Sequence, residues 1–206
     1  KGAGMLLYPA QVAEVLAPIA EYPEIQFSLK MRLGWENASE CMVLVELLNA
    51  IRLSRIALHA RTGKQQYKGH PDLEAFQGFY ELCQHPLYYN GGIESLSDIR
   101  QILIRFPLLK GVFIGRGLLS SPLLAKEFKG NETFLPEQRM SIYFAFHEEL
   151  FSAYSQVLQG ETQLLVKMKT LWEYFLPETD RKLLKRIKKS TRLQQYTESV
   201  KAIFTS

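Results

Sequence analysis

A chain of 206 residues is long enough to bury a core without disulfide staples, which excludes the small cystine-rich scaffolds. With 47% apolar, 22% charged and 12% aromatic residues it has the composition of a globular protein, not of a disordered, collagen-like or coiled-coil one. A net charge of +4 permits an acidic partner such as nucleic acid without arguing for one, so the placing of the cations has to decide.

The two cysteines, Cys41 and Cys83, share no metal or redox spacing and imply a reducing compartment or indifference to it; a cytoplasmic location is expected. The four histidines, His59, His70, His85 and His147, are too scattered for a local zinc motif, so no metal is expected. No stretch reaches the roughly 18 apolar residues of a membrane span, because Arg105 and Pro107 interrupt the best candidate at residues 99–109. No membrane partner is therefore expected. The chain opens on Lys1 rather than Met, with no signal-peptide core behind it, and reads as a fragment.

In chain order, short apolar runs at residues 25–29, 55–58, 87–89 and 111–114 predict strands, each followed by a helical pattern at 39–53, 72–84, 95–106 and 118–128. Strands and helices alternating roughly every 30 residues, the size of a βαβ unit, predict parallel pairing. Residues 1–130 are thus expected to be an α/β domain. From residue 131 to 206 no strand pattern appears. Tyr143, Phe146, Leu150, Tyr154 and Val157 recur at helical steps across 137–158, as do Leu164, Met168, Leu171 and Phe175 across 163–175. These stripes predict packing faces of a helical bundle rather than a cofactor box.

A third helix is expected to start near Arg181, capped by Thr179-Asp180. Leu183, Leu184 and Ile187 share one of its faces, and Arg181, Lys182, Lys185, Arg186, Lys188 and Lys189 crowd the other without an acid among them. The cationic face suits a solvated surface or phosphate contact; Lys182, Lys185, Arg186 and Lys189 are the candidate nucleic-acid contacts. The apolar face carries no Trp or Phe, which disfavours a membrane-surface helix.

In parallel α/β arrays chemistry sits where strands end, because loop amides and helix amino termini converge there. The first strand leads into Lys30-Met31-Arg32-Leu33-Gly34, the second into His59-Ala60-Arg61-Thr62, the third into Asn90-Gly91-Gly92 and the fourth into Gly115-Arg116-Gly117. Glycines let the backbone approach an anion, so two glycine-bearing loops before helices predict a phosphate cradle. Each pair taken alone is also an ordinary turn. Lys30 and Arg32 fall on one side of their strand and Met31 on the other; Lys30 can face a ring that accumulates negative charge, or pair with Glu36 or Glu40. His59 is a candidate ligand contact or a satisfied core histidine.

These segments, with His59-Ala60-Arg61-Thr62-Gly63-Lys64-Gln65-Gln66-Tyr67-Lys68-Gly69 as the most specific piece, resemble the tRNA-dihydrouridine synthases in order and spacing. The opening Lys1-Gly2-Ala3-Gly4-Met5-Leu6-Leu7 is similar to the segment after the catalytic Cys loop of that family, and Lys167-Met168-Lys169 with Leu171-Trp172 and Tyr174 resembles its helical domain.

The resemblance implies the C-terminal half of a TIM (β/α)8 barrel followed by an all-α tRNA-binding domain. It implies reduction of the C5–C6 bond of a tRNA uridine, with FMN as cofactor and NADPH as reductant. Lys30 and His59 would contact the flavin, Asn90, Gly91, Gly92, Gly115 and Arg116 would hold its phosphate end, and Arg32 and Arg61 would face the substrate. Three departures stand out: Gly92 replaces an Asp, Gly63 stands where a basic residue is common, and the proton-donating Cys is expected upstream of Lys1. Half a barrel is expected either to self-associate through exposed edges or to be partly disordered, to bind FMN weakly and to be inactive alone. Two other readings fit the same residues: another flavin- or sugar-phosphate-binding barrel enzyme, and a non-catalytic RNA-binding remnant.

Overall fold

A computed structural model describes residues 2–205; Lys1, at the head of the opening segment, and Ser206 lie outside the described residues. The chain begins with a 3-10 turn (Gly2–Leu7), helix α1 (Pro9–Leu16), whose proline sits where a missing N–H costs nothing, and a second 3-10 turn (Ala17–Glu21). Then come strand β1 (Ser28–Gly34), a 3-10 turn (Glu40–Leu44) and helix α2 (Val45–Asn49). Strand β2 (Arg55–Thr62), helix α3 (Leu73–Leu82), strand β3 (Leu87–Asn90), helix α4 (Leu96–Arg105) and strand β4 (Gly111–Phe113) complete the first part. The protein is α/β, and its four strands pair in parallel in the order β1-β2-β3-β4.

Two of the strands run differently from the periodicity reading. β1 starts later than residue 25 and continues to Gly34, and β2 continues past Leu58 to Thr62. The reason is that polar residues alternate with apolar ones beyond the apolar run: buried Leu33 and Ala60 continue the packed face, so the ladder holds while Arg32 and His59 take the other side. The helix expected at 39–53 is instead a 3-10 turn and a short α2. The Glu40 carboxylate accepts the amides of Trp35, Glu36 and Asn37 at 2.6, 3.1 and 2.8 Å and winds the chain tightly there.

In-register parallel pairing sorts side chains into rows. Met31, Leu58, Tyr89 and Val112 form one row and Leu29, Ile56 and Leu87 another on the same face. That face meets the helices: Phe76 of α3 packs edge-on to Tyr89 and to Phe106, each at 5.0 Å between ring centroids. α3 is capped by Asp72, and α4 by a reciprocal pair in which Ser95 and Asp98 accept each other's amides.

The chain divides into two compact units, the first ending at Ile114 and the second beginning at Gly115. The division falls before the expected 130/131 because the segment after Gly115 packs with the helices that follow. Leu123 belongs to their core, Ser121 and Tyr143 share a hydroxyl hydrogen bond of 2.7 Å, and Glu127 pairs with Arg139. In place of one helix at 118–128 there are α5 (Arg116–Ser120) and α6 (Leu124–Gly130), separated at Pro122, which offers no N–H and forces the residue before it out of the helical region.

Helices α7 (Pro136–Val157), α8 (Gly160–Leu171), α9 (Arg181–Lys189) and α10 (Leu193–Phe204) follow. Their core gathers Tyr143, Leu164, Met168, Trp172, Phe175, Ile187, Tyr196, Val200 and Ile203. α8 starts and stops earlier than the stripe at 163–175 suggests, and the chain then turns through Leu176 at φ +48°. No helix among the described residues is long and apolar enough to cross a membrane.

The Phe76 ring, fully buried between two aromatic edges, sets a test of the first unit: Phe76→Ala should cost about 3–5 kcal/mol in urea unfolding. Ile104→Ala, on α4 but 80% exposed, should stay within about 0.5 kcal/mol. Equal costs would show that this aromatic contact is not what joins α3 to the sheet.

Candidate functional site

The face of the sheet opposite α3 carries a different chemistry. Arg32, His59, Asn90 and Phe113 are partners in one cross-sheet row, and Lys30, Ala57, Tyr88 and Gly111 in the row before it. Neighbouring strands lie about 4.8 Å apart, so Arg32, His59 and Asn90 stand side by side within about 10 Å. Continuing the alternation places Ser28, Arg55 and Arg61 there too. Four cations and a histidine thus occupy this face, and no carboxylate does. Nearby acids have other duties: Glu36 pairs with Lys64 at 2.5 Å, Glu40 holds backbone amides, and Asp72 and Asp98 cap helices. Neither pairing considered for Lys30 is therefore made.

Each predicted residue of the first unit has a definite place. Lys30 is exposed, and its pKa is held below the usual lysine value by partial burial and, second, by the like charge of Arg32. Arg32 donates to the carbonyl of Thr62 at 2.6 Å and reaches that of Gln66 at 3.4 Å, tying β1 to the loop after β2. His59 and Arg61 are each only 5% exposed. Arg61 donates to the Gly69 carbonyl at 3.0 Å, and its other terminal nitrogen lies 3.4 Å from His59 Nε2, where a guanidinium can only donate. Asn90 donates its amide to the Phe113 carbonyl at 2.8 Å, joining the ends of β3 and β4.

The Gly91-Gly92 turn closes on this group. Both glycines have positive φ, +139° and +60°. A Cβ at Gly91 would lie 3.3 Å from the His59 ring, and one at Gly92 would lie 3.0 Å from Pro71 and 3.9 Å from Arg61. The turn can therefore hold its backbone against His59, Arg61 and Pro71 only without side chains. Lys30, His59, Arg61, Asn90 and the glycine turn are all brought to one side and end of the sheet. Gly115 and Arg116 open the second unit; a Cβ at Gly115 would meet nothing within 4 Å, so packing does not require glycine there.

The loop after β2 is built by its own polar groups. Thr62 and Gln65 exchange backbone-to-side-chain hydrogen bonds at 3.3 and 3.2 Å, and Gln65 donates to the carbonyls of Lys68 and His70, both at 2.9 Å. Gly63, read as a missing basic contact, has a steric cause: a Cβ there would sit 2.2 Å from the Trp35 ring.

Sequence reading passed over Trp35 as well as Tyr88, Phe113 and Arg55. The last three cluster on the polar face, with ring centroids of Tyr88 and Phe113 5.5 Å apart and the Arg55 guanidinium 5.9 Å from the Phe113 ring. The two-residue period from His59 back to Arg55 was the available signal.

In the second unit, α9 shows the expected two faces. Asp180 accepts the amides of Lys182 and Leu183 at 2.7 and 3.2 Å; Ile187 is buried while Arg181, Lys182, Lys185, Arg186, Lys188 and Lys189 are exposed. Lys182, Lys185, Arg186 and Lys189 line one side of a groove of about 450 Å³ whose other wall includes Gln195, Glu198 and Ser199 of α10. No carboxylate among the described residues pairs with these four cations.

A four-stranded parallel α/β sheet with a cationic, glycine-bordered face is the architecture of this first unit. The sequence profile of the dihydrouridine synthase family matches residues 1–205, and the chain belongs to that family. A probable tRNA-dihydrouridine synthase of Aquifex aeolicus is 35% identical over 133 residues, covering 63% of this chain and 42% of its own length. One of Rhizobium leguminosarum is 30% identical over 122 residues (59% and 38%), and the tRNA-dihydrouridine(16) synthase of Vibrio cholerae 27% over 138 residues (66% and 42%). The chain spans about two fifths of the length of these curated relatives.

The Trp35–Gly63 contact can be checked by a double-mutant cycle. Gly63→Ala should destabilise by about 1–3 kcal/mol, a Tm loss of several degrees, and Trp35→Ala in the same chain should recover part of it. Strict additivity would show that the two residues do not touch.

Proposed function

We propose that this chain supplies part of the flavin- and RNA-binding apparatus of an enzyme that reduces uridine to 5,6-dihydrouridine in tRNA. The observation that carries the reading is the in-register row Arg32–His59–Asn90, flanked by Lys30 and Arg61, on a sheet face with no carboxylate. Such a face suits a planar, anionic ligand. In this reading the four strands are the C-terminal half of a (β/α)8 barrel: an order of β1-β2-β3-β4 with right-handed crossovers puts every connecting helix on one side, as barrel closure requires. The second unit is the tRNA-binding domain.

The residues fit FMN. Lys30 is, with Arg55, an exposed cation of the face and lies where a ring can be held; its lowered pKa leaves it a readier proton donor than an ordinary lysine. His59 is fixed by Arg61 and the glycine turn and orients ligand atoms rather than moving itself. Asn90 locks the β3 and β4 ends so that the Gly91-Gly92 backbone keeps its approach. When bound, the flavin supplies the hydride for the C5–C6 bond of uridine, and NADPH restores it. Arg32 and Arg61 set the electrostatics that a uridine must meet after leaving its stack.

Neither cysteine is the acid for C5. Burial pushes the Cys41 thiol up to about 12 and raises Cys83 as well, and both hydrogen-bond to backbone carbonyls.

On α9, like charges three and four residues apart repel, an arrangement that a row of RNA phosphates relieves. β1 and β4 are the edges of the sheet, and association with a second copy through them is part of the reading.

Two titrations test this on the whole chain. FMN should quench its tryptophan fluorescence, and Lys30→Ala should weaken binding at least tenfold while Lys64→Ala, which removes only the surface pair with Glu36, leaves it unchanged. Unfractionated tRNA should bind with a steep salt dependence, and Lys185→Glu with Arg186→Glu should lower both the affinity and the slope, by about 0.7–0.9 per lost contact. No quenching at millimolar FMN removes the cofactor assignment; unaltered tRNA binding removes α9 from the interface.

A further inference from the structure

A buried hydrogen-bond chain ties three helices of the second unit together. His147 of α7 is 1% exposed and Tyr196 of α10 fully buried. Trp172, just after α8, donates its indole N–H to the Tyr196 hydroxyl at 3.0 Å, and that hydroxyl lies 2.6 Å from His147 Nε2. His147 Nδ1 lies 3.1 Å from the carboxylate of Glu148, which is about half-exposed. The directions are forced. Trp172 can only donate and the carboxylate can only accept, so Nδ1 carries the imidazole proton, Nε2 is bare, and the Tyr196 proton points at it.

A second proton on the imidazole has no place in this chain. It would sit on Nε2 and face the Tyr196 proton, which would have to swing into a wall made by Phe151, Trp172 and Tyr196 itself. Among the described residues Glu148 is the charged group against His147, and Trp172 just after α8 and Tyr196 of α10 face it from the other helices. Burial outweighs that carboxylate and holds the histidine pKa below its ordinary value, and burial likewise raises that of Tyr196.

α10 is also the second wall of the cationic groove on α9. We propose that the His147–Tyr196 pair is a proton-sensitive clasp: neutral His147 holds α10 in place beside α9, and its protonation releases α10 and weakens the groove's hold on polyanions. The proposal rests, for its ligand, on the reading of α9 as an RNA-contacting face. The sign is distinctive. Acidification ordinarily strengthens phosphate binding by adding positive charge, whereas here it weakens it. A base whose folded pKa is depressed gives stability that is complete above its unfolded value of about 6.5 and is lost as pH falls below it.

The test follows the Trp172 indole proton by NMR in the whole chain, assigned by Trp35→Phe, together with binding of poly(U) at fixed ionic strength. Between pH 7.5 and 5.5 the indole resonance should shift or broaden and poly(U) affinity should fall at least threefold. His147→Gln, which can accept from Tyr196 and donate to Glu148, should flatten both curves. Tyr196→Phe should bring the His147 titration back toward 6.5, and serves as the second variant if His147→Gln does not fold. An indole signal that does not change with pH, or one that changes equally in His147→Gln, overturns the clasp. Unaltered poly(U) affinity across a changing indole signal overturns its link to the groove. Absence of poly(U) binding at every pH instead overturns the RNA reading of α9, with the indole signal still deciding the clasp.

Discussion

The two-residue period of a strand, repeated in register across four parallel strands, is the constraint on which the first unit depends. Because Arg32, His59 and Asn90 are paired neighbours, shifting β1 or β2 by a residue would put a cation into the layer where Phe76 and Tyr89 pack, and an apolar side chain on the polar face. Packing energy on one face therefore fixes polar geometry on the other. The hydrophobic contact between sheet and helices places the imidazole beside the guanidinium as firmly as any direct hydrogen bond does.

This coupling explains what could be read from the sequence. The β/α alternation, the gathering of Lys30, His59, Arg61 and the glycine turn, and the two faces of α9 follow from local periodicity, which survives without knowledge of the partner strands. Strand limits did not follow, because His59 and Arg61 look like loop residues until Leu33 and Ala60 are seen to continue the buried face. The tight turn at Glu40 and the break at Pro122 are chemical rather than periodic events: a carboxylate collecting three amides, and a residue without an N–H. α10 was legible in principle, since Leu193, Tyr196, Val200 and Ile203 recur at three- and four-residue steps. Gly63 was legible only as a departure; its cause, the Trp35 ring, is a contact between segments far apart in sequence.

Polar groups are treated differently in the two units. In the first, the cations lie on a face whose acids have been drawn into caps and turns, so positive charge is concentrated where a ligand can meet it. In the second, the cations of α9 stay on its outer side and the buried Glu127 is paired with Arg139, while the core between α7, α8 and α10 keeps a neutral chain of indole, phenol and imidazole. Burying such a chain is tolerable only when every donor has an acceptor, and His147, Tyr196 and Trp172 meet that condition in one proton arrangement.

That uniqueness has a structural consequence for the helices that carry the groups. Interdigitated side chains already resist sliding of α7, α8 and α10, but dispersion contacts are non-directional and tolerate small rotations that a hydrogen-bond chain does not. A donor–acceptor chain constrains both distance and rotation, so it adds to the packing of the shared core in setting the register of α10 against α7. Lys182, Lys185, Arg186 and Lys189 face α10 across a shared groove, so the shape of that groove depends on how α10 is seated in the core as well as on the cations themselves.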